Sequence, residues 1–336
     1  MSFGKTIARK LVFPAITSLG IEKMFSISSK NCYSVLEYHG VTTSVDAALN
    51  GRHMDAVQFE KHLKYFRRNF DIVPLKEIYR YRQEGIRPKR KTIALTFDDG
   101  YRNNYNSVFP LLVKYNIPAT FFIITASFNE DNFVVWPDIF DIVYRYSPLS
   151  QVVLGEYEFI RNGGAFYSNK LGMSLFDWVK RLGDERESIL NDFKKTVDFT
   201  TLLQQVPTEH WQLMGKKQII EVFQSGLVEI GSHTHLHYNL GNIPLKMAQE
   251  ELAISKAKLE DIIKSKVNTI CYPDGSYNKE IKSLSGECGY TNLIAVDYKL
   301  PEDKTDKSIM ARHCISNTTT FESNIIQIHS SFRKDL

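Results

Sequence analysis

Apolar and polar positions along the chain follow two periods. Short β-rich runs, bounded by turn residues or by helical patterns, fall at Ser34–His39, Thr92–Asp98, Ala119–Ile124, Leu227–His233, Asn268–Tyr272, Leu293–Val296, Ile309–Ile315 and Ile325–His329. Between them the spacing changes to three and four residues. Phe59, Leu63 and Phe66 share one helical face, and Leu111 and Tyr115 another. Leu245, Leu252, Leu259 and Ile263 mark a long helix within residues 244–265, with Pro244 suited to its first turn. Strand alternating with helix implies parallel strands and crossover connections. A count near eight favours a distorted or incomplete (β/α) barrel over an open doubly wound sheet.

The interval between Ile124 and Leu227 is too long for one crossover, so it predicts an inserted α+β subdomain at about residues 128–211. Within it, Val152–Ile160, Asn162-Gly163-Gly164 and Ala165–Tyr167 read as a β-hairpin, because Asn-Gly accepts the positive φ of a tight turn. Helical patterns at Trp136–Tyr146, Leu175–Leu182 and Glu187–Leu203 surround it. Residues 1–30 form an N-terminal arm, and residues 31–336 the interrupted barrel.

Composition adds limits. In 336 residues, 43% hydrophobic and 24% charged is ordinary for a globular chain, and 42 basic against 38 acidic residues gives no reason to expect a nucleic-acid partner. Cys32, Cys271, Cys288 and Cys314 form no C-x-x-C pair, so they read as free thiols of a reducing compartment. Lys5, Arg9 and Lys10 precede the apolar stretch Leu11–Ile21, but Pro14, Thr17, Ser18 and Gly20 interrupt it, and no small-x-small cleavage site follows. The apolar stretch is too short to span a bilayer. The expectation is a cytoplasmic protein whose arm packs as a helix, with peripheral membrane contact through the arm as the alternative. The oligomeric state is not legible.

Three strings carry chemistry, each after a β-run. In Thr96-Phe97-Asp98-Asp99-Gly100, adjacent carboxylates point to different sides, so one can bind a cation while the other takes part in proton transfer. In Gly231-Ser232-His233-Thr234-His235-Leu236-His237, His233 and His237 would converge on one ion if the chain turned into a helix between them, while His235 points elsewhere. Two imidazoles and one carboxylate suit a borderline metal and leave positions open for water and substrate. In Tyr272-Pro273-Asp274-Gly275, the proline and glycine fix a tight turn whose amides could face a developing oxyanion.

Together, in this order, the three strings resemble the motifs of the polysaccharide deacetylase family of carbohydrate esterases. Tyr272-Pro273-Asp274-Gly275 looks like the Tyr-Pro-x-Gly form of one branch, as do Ala119-Thr120-Phe121-Phe122 and Tyr38-His39-Gly40-Val41. The resemblance implies a deacetylase barrel that removes N-acetyl groups from a sugar or polysaccharide precursor. Asp98 is then the general base, Asp99, His233 and His237 hold one divalent ion (Zn²⁺ first, then Co²⁺, Ni²⁺ or Mn²⁺), and the backbone N–H of Asp274 faces the oxyanion. Asp274 stands where the family usually places an aromatic residue. Ala311-Arg312-His313 resembles a late-strand Arg segment, so Arg312 would orient Asp98. Ile325–His329 resembles the last motif, a strand ending in His, which makes His329 a candidate general acid beside His39. His39, Tyr272 and Pro273 are expected to line the substrate pocket, and the partner to be an acetylated glycan or lipid-linked saccharide. The insertion is expected to shape substrate choice, with Trp136 and Tyr144 either stacking on sugars or packing within it. The readings set against this one are an inactive carbohydrate-binding barrel and a deacylase of O-acetyl esters or non-sugar amides.

Overall fold

The computed structural model describes residues 12–24, 32–43, 50–128, 132–315 and 317–332. The basic residues of the N-terminal arm, Lys5, Arg9 and Lys10, lie outside the described residues. The first part of the chain forms α1 (Phe13–Ser18), β1 (Tyr33–Tyr38), the short strands β2 (Val41–Thr42) and β3 (Met54–Asp55), α2 (Ala56–Asn69), β4 (Asp71–Ile72) and α3 (Leu75–Glu84). β5 (Thr92–Phe97), α4 (Phe109–Tyr115) and β6 (Ala119–Ile123) follow. The insertion holds α5 (Trp136–Tyr146), β7 (Gln151–Leu154), β8 (Tyr157–Asn162), β9 (Ala165–Ser168), β10 (Met173–Ser174), α6 (Leu175–Arg181), α7 (Arg186–Thr196) and α8 (Phe199–Leu203). The chain then returns through α9 (Lys216–Gln224), β11 (Val228–Ser232), α10 (Leu245–Ile263), β12 (Thr269–Cys271), α11 (Lys279–Glu287) and β13 (Asn292–Ala295). It ends with β14 (Ile309–Ala311), β15 (His313–Cys314) and α12 (Phe321–Ser331).

Parallel segments run in the order β14, β13, β12, β11, β6, β5, β1, β15, with β4 beside β5. Only Arg312 separates β14 from β15. The run 309–314 therefore pairs with β13 through its first half and with β1 through its second, which brings the sheet round on itself. This is the distorted (β/α) barrel that the strand count implied. Every residue of β5 and β6 is buried, as parallel strands covered on both faces require.

The two-residue period of the strands divides the core. Leu36, Tyr38, Leu95, Phe97 and Phe121 pack with helical residues such as Phe59, Leu63, Leu252 and Leu259. The alternate positions Val35, Ala94, Phe122, Cys271, Ile294 and Met310 form the second cluster, joined by Leu75, Ile78 and Tyr79 of α3. Continued along the strands, that second parity reaches Glu37 and His39, Thr96 and Asp98, and Arg312. A strand interior thus delivers polar side chains to the C-terminal end of the barrel, where sites of such barrels form. Gly231 is part of this interior: a Cβ there would collide with the ring of Phe122.

The insertion has its own apolar cluster, from Val134 to Trp211, and its own antiparallel sheet in the order β10, β9, β8, β7. The expected single run Val152–Ile160 is broken at Gly155, where φ is 58° and the chain turns, so the hairpin is part of a four-stranded sheet. Trp136 stacks 5.0 Å from Phe176 and Tyr144 lies 5.9 Å from Phe140, both within the subdomain core. Among the described residues, no helix is long and apolar enough to cross a membrane.

One expected strand is a helix. Ile325–His329 lies inside α12, whose N-cap Thr320 Oγ1 accepts the N–H of Ser323. Ile325, Ile328, His329 and Phe332 are its buried face, a helical spacing that a five-residue window could not separate from a strand. His329 faces Phe70, at 5.0 Å between rings, and pairs with Tyr65 Oη at 2.9 Å. The C-terminal half of α12 lies by the start of β1, where Ser331 Oγ meets Ser34 Oγ at 2.7 Å. His329 is therefore at the far end of the barrel from Asp98, which removes it as a candidate general acid.

Candidate active site

Asp98 and Asp99 leave β5 in different directions. Asp98 keeps the inward parity, and its backbone N–H bonds Tyr38 O at 2.9 Å. Asp99 takes φ 68°, which swings its carboxylate sideways toward the loop after β11. Asp98 is gripped in a fork by Arg312, with Nη1–Oδ1 at 2.7 Å and Nη2–Oδ2 at 2.6 Å. The same guanidinium reaches Thr96 Oγ1 at 3.1 Å and Glu37 Oε2 at 3.2 Å. Burial pushes the Asp98 carboxyl up, but Arg312 and then His233 pull it further down, so the group sits well below the usual carboxylate range.

The loop 233–237 does not turn into a helix. Instead Thr234 and His237 adopt φ of 66° and 60°, and these left-handed residues bring the two imidazoles to ring centroids 4.9 Å apart. Asp99 Oδ1 lies 3.5 Å from His233 Nε2 and 3.4 Å from His237 Nε2. His233 Nδ1 bonds the carbonyl of Cys271 at 2.9 Å, which leaves Nε2 to face Asp99. His235 is turned away, to Thr125 Oγ1. Of the seven non-glycine residues with positive φ among the described residues, Asp99, Thr234, His237 and Asp274 belong to this face; each costs of order 1–3 kcal/mol, so strain is concentrated here.

The strained loop is held from two sides. Glu251 of α10 accepts the N–H groups of His235 and Leu236 at 2.9 and 2.8 Å. Arg186, buried at the start of α7 in the insertion, donates to the carbonyls of His237 and Leu236 at 2.8 and 2.9 Å and covers the ring of Tyr238. Sequence reasoning missed Arg186, Glu251, Glu37 and Thr96. The signal for Glu37 and Thr96 was there, two residues before His39 and Asp98 on the same strand face; for Arg186 and Glu251 there was none.

Asp99, His233 and His237 fit a divalent cation. Asp99 Oδ1 is buried and has no hydrogen-bond partner among the described residues, and burial followed by the Asp98 charge pushes its carboxyl well up, the condition of a carboxylate that lacks a counter-charge. Burial keeps both imidazoles neutral, as ligands must be. One oxygen and two nitrogens within 4.8 Å of one another match the donor set of a catalytic zinc-type site.

The remaining expected residues fall out differently. His39 is partly exposed, with Nε2 3.9 Å from Glu37 Oε1, and groups with Glu37 and Asp98; burial lowers its imidazole to about 4. Tyr272 does not face the pocket. Its ring is buried and stacks on Tyr277, and its hydroxyl donates to Ser285 Oγ at 2.9 Å, because its position lies on the helix-facing side of the strand end. Pro273 is buried in the turn, and Asp274 holds φ 56°. The Asp274 carboxylate reaches outward to Lys180 Nζ of α6 at 2.6 Å.

The family model described as "Polysaccharide deacetylase" matches residues 85–147 and 186–293 of this chain and passes over residues 148–185. The "Putative polysaccharide deacetylase YxkH" of Bacillus subtilis (strain 168) is 21% identical over 257 residues, 76% of this chain and 61% of the relative. A "Poly-beta-1,6-N-acetyl-D-glucosamine N-deacetylase" of Staphylococcus aureus (strain MSSA476) is 40% identical over 77 residues, 23% of this chain and 26% of the relative. The chain thus spans less than two thirds of the length of either. Among solved structures, the Streptococcus pyogenes deacetylase PplD, in complex with acetate, superimposes with a TM-score of 0.58 at 16% identity over 89% of this chain and 98% of its own. IcaB from Ammonifex degensii gives 0.58 at 18% identity over 90% and 98%. These two share the fold, and with just over half of the chain matched by the family model, the protein belongs to the polysaccharide deacetylase family.

Proposed function

We propose that this protein hydrolyses the acetamide of an N-acetylated sugar, releasing acetate and leaving a free amine on the glycan. The observation that carries the reading is the meeting of Asp99, His233 and His237 around one point, beside a carboxylate that Arg312 holds in a two-point fork. A divalent cation held by those three residues, Zn²⁺ by the chemistry of the donors, would supply Lewis-acid polarisation of the amide carbonyl and of a water. Asp98 is ionised across the neutral range and accepts the proton of the attacking water, whose oxygen bonds to the carbonyl carbon. The backbone N–H of Asp274 is the donor we assign to the oxygen that gains charge. His39, which groups with Glu37 and Asp98, is the residue we assign to relay the proton from Asp98 to the departing nitrogen as the C–N bond breaks.

Two measurements test this. Acetate release from N-acetylhexosamine oligomers and lipid-linked saccharides should be lost when a chelator strips the protein and return when divalent metal is added back. Elemental analysis should find one ion per chain in the native protein and little in a His233→Ala/His237→Ala variant; equal metal in both would place the ion elsewhere.

A further inference from the structure

Large apolar side chains left in water are concentrated in one part of this chain. Of the twelve that are exposed among the described residues, Val12, Leu19, Ile21 and Met24 fall within residues 12–24, and Val57 lies on α2. Leu19 is 73% exposed and Met24 64%. α1 fully buries none of its residues, although its sequence is Phe-Pro-Ala-Ile-Thr-Ser. The segment is nonetheless fixed in place: Ile21 N–H bonds Ile16 O at 3.0 Å, the chain turns at Gly20 with φ 69°, and the buried Glu22 accepts Tyr65 Oη of α2 at 2.8 Å. Against it lies a groove of about 750 Å³, lined by Leu19 and Phe321 and by four cations, Lys23, Lys61, Lys64 and Arg68. Glu22 is the one carboxylate among the described lining residues, and it is turned inward to Tyr65. Val57, Lys61, Lys64 and Arg68 recur at helical spacing and form an exposed stripe of α2, opposite the buried Phe59, Leu63 and Phe66. Lys64 also lies 3.5 Å from Glu60, an exposed pair that holds it only weakly.

We propose that this face docks on an anionic lipid bilayer, with Leu19 and Met24 entering the interfacial layer and the cations of the groove lying against headgroup phosphates. The inference is independent of the chemistry at the barrel mouth. Charge and apolarity point to the same partner. A soluble polyanion would use the cations and leave Leu19 and Met24 in water, whereas a bilayer interface presents negative charge with an apolar layer directly beneath it. Long basic side chains around exposed apolar groups suit that boundary, because their stems cover apolar surface while their heads stay with the phosphates. α1, six residues long, is far too short to span, so the contact is peripheral. The face also lies away from the active site. Asn69, at the edge of the groove, comes just before β4, whose Asp71 pairs with Thr92 at the start of β5, while Asp98 follows the end of that strand. Docking here leaves the barrel mouth uncovered.

Flotation of the full chain with vesicles of phosphatidylcholine alone, and of phosphatidylcholine mixed with phosphatidylglycerol, tests the proposal. The native protein is compared with Lys61→Gln/Lys64→Gln and Leu19→Ser/Met24→Ser variants, with melting temperatures to confirm folding. The native protein should float with the mixed vesicles, much less with phosphatidylcholine alone, and less as salt is raised. Each lysine removed should weaken binding to the mixed vesicles about fivefold. Each apolar side chain removed should weaken it on the order of tenfold. No flotation with the mixed vesicles, or equal flotation with both kinds, would overturn the proposal. So would native-like binding by both variants, which would place any membrane contact on another part of the chain. Losses confined to the lysine variant, with inorganic polyphosphate displacing the native protein from the vesicles, would replace the bilayer with a soluble polyanion.

Discussion

At the scale of single residues, the site divides between groups that hold charge and groups that move protons. Asp98 accepts four lone-pair contacts at most, and Arg312 takes one on each oxygen, so lone pairs remain for a water. Asp98→Asn keeps the shape but cannot take a proton. Turnover should fall on the order of 10²-fold or more, while metal content, read by elemental analysis, stays near one. Arg312 is a different case, because Asp98 and Glu37 are both buried against it. Arg312→Ala strands both carboxylates, and breaking a buried pair in this way costs about 3–5 kcal/mol. Urea unfolding should show that loss, and Arg312→Lys should regain part of the stability without regaining the two-point fork.

At the scale of elements, the insertion reaches into the centre. Arg186 stands at the first turn of α7, yet its guanidinium holds the carbonyls that flank the left-handed His237. The insertion was expected to affect substrate choice alone; the geometry ties it to the position of a proposed ligand as well. Arg186→Gln removes the charge and one of the paired donors, and partners behind a ligand are typically worth about 10–100-fold in metal affinity. A metal-competition titration with a chelator should show a loss of that order, while Glu251, on the other side of the loop, still holds His235 and Leu236. Unchanged metal affinity would leave Arg186 as a fastener of the insertion only.

At the scale of the whole molecule, buried neutral histidines set the response to acid. Burial lowers His62 to about 3 and is the main cause that takes His329 to about 4, whereas an unfolded chain protonates both near 6.5. Below that pH the unfolded state binds more protons than the folded one, so stability is fully present above about pH 6.5 and is lost as the pH falls toward the folded values. Each such group contributes a slope of up to about 1.4 kcal/mol per pH unit in that window. His62 lies between Tyr38, whose hydroxyl meets Nδ1 at 3.0 Å, and the rings of Phe66 and Phe321. Denaturant midpoints of His62→Gln measured from pH 7 to pH 4.5 should fall less steeply than those of the native protein; parallel curves would mean that His62 is not a source of the acid sensitivity.

Local pattern was enough for the alternation of buried strands and helices, for the turn after Asn162, and for the three strings that end in Asp98-Asp99, His233 to His237 and Pro273-Asp274. Each of these depends on residues within a few positions of one another, where strand period, turn chemistry and side-chain type act directly. Several features depended on chain brought in from far away. Ile325–His329 is helical because one side of it meets Phe70 and the start of β1, contacts that no short window contains. The closure of the barrel through Arg312, the turning of Tyr272 into the core, and the left-handed pose of Thr234 and His237 follow from neighbours more than a dozen residues distant. The grip of Arg186 on the second motif is of the same kind, 50 and 51 residues away along the chain. The sequence by itself determined which chemistry the strand ends carry, because side-chain identity and strand parity are local. Only the tertiary structure decided which of those groups meet and what holds them, because backbone strain and buried charge are tolerated only where distant parts of the chain pack around them.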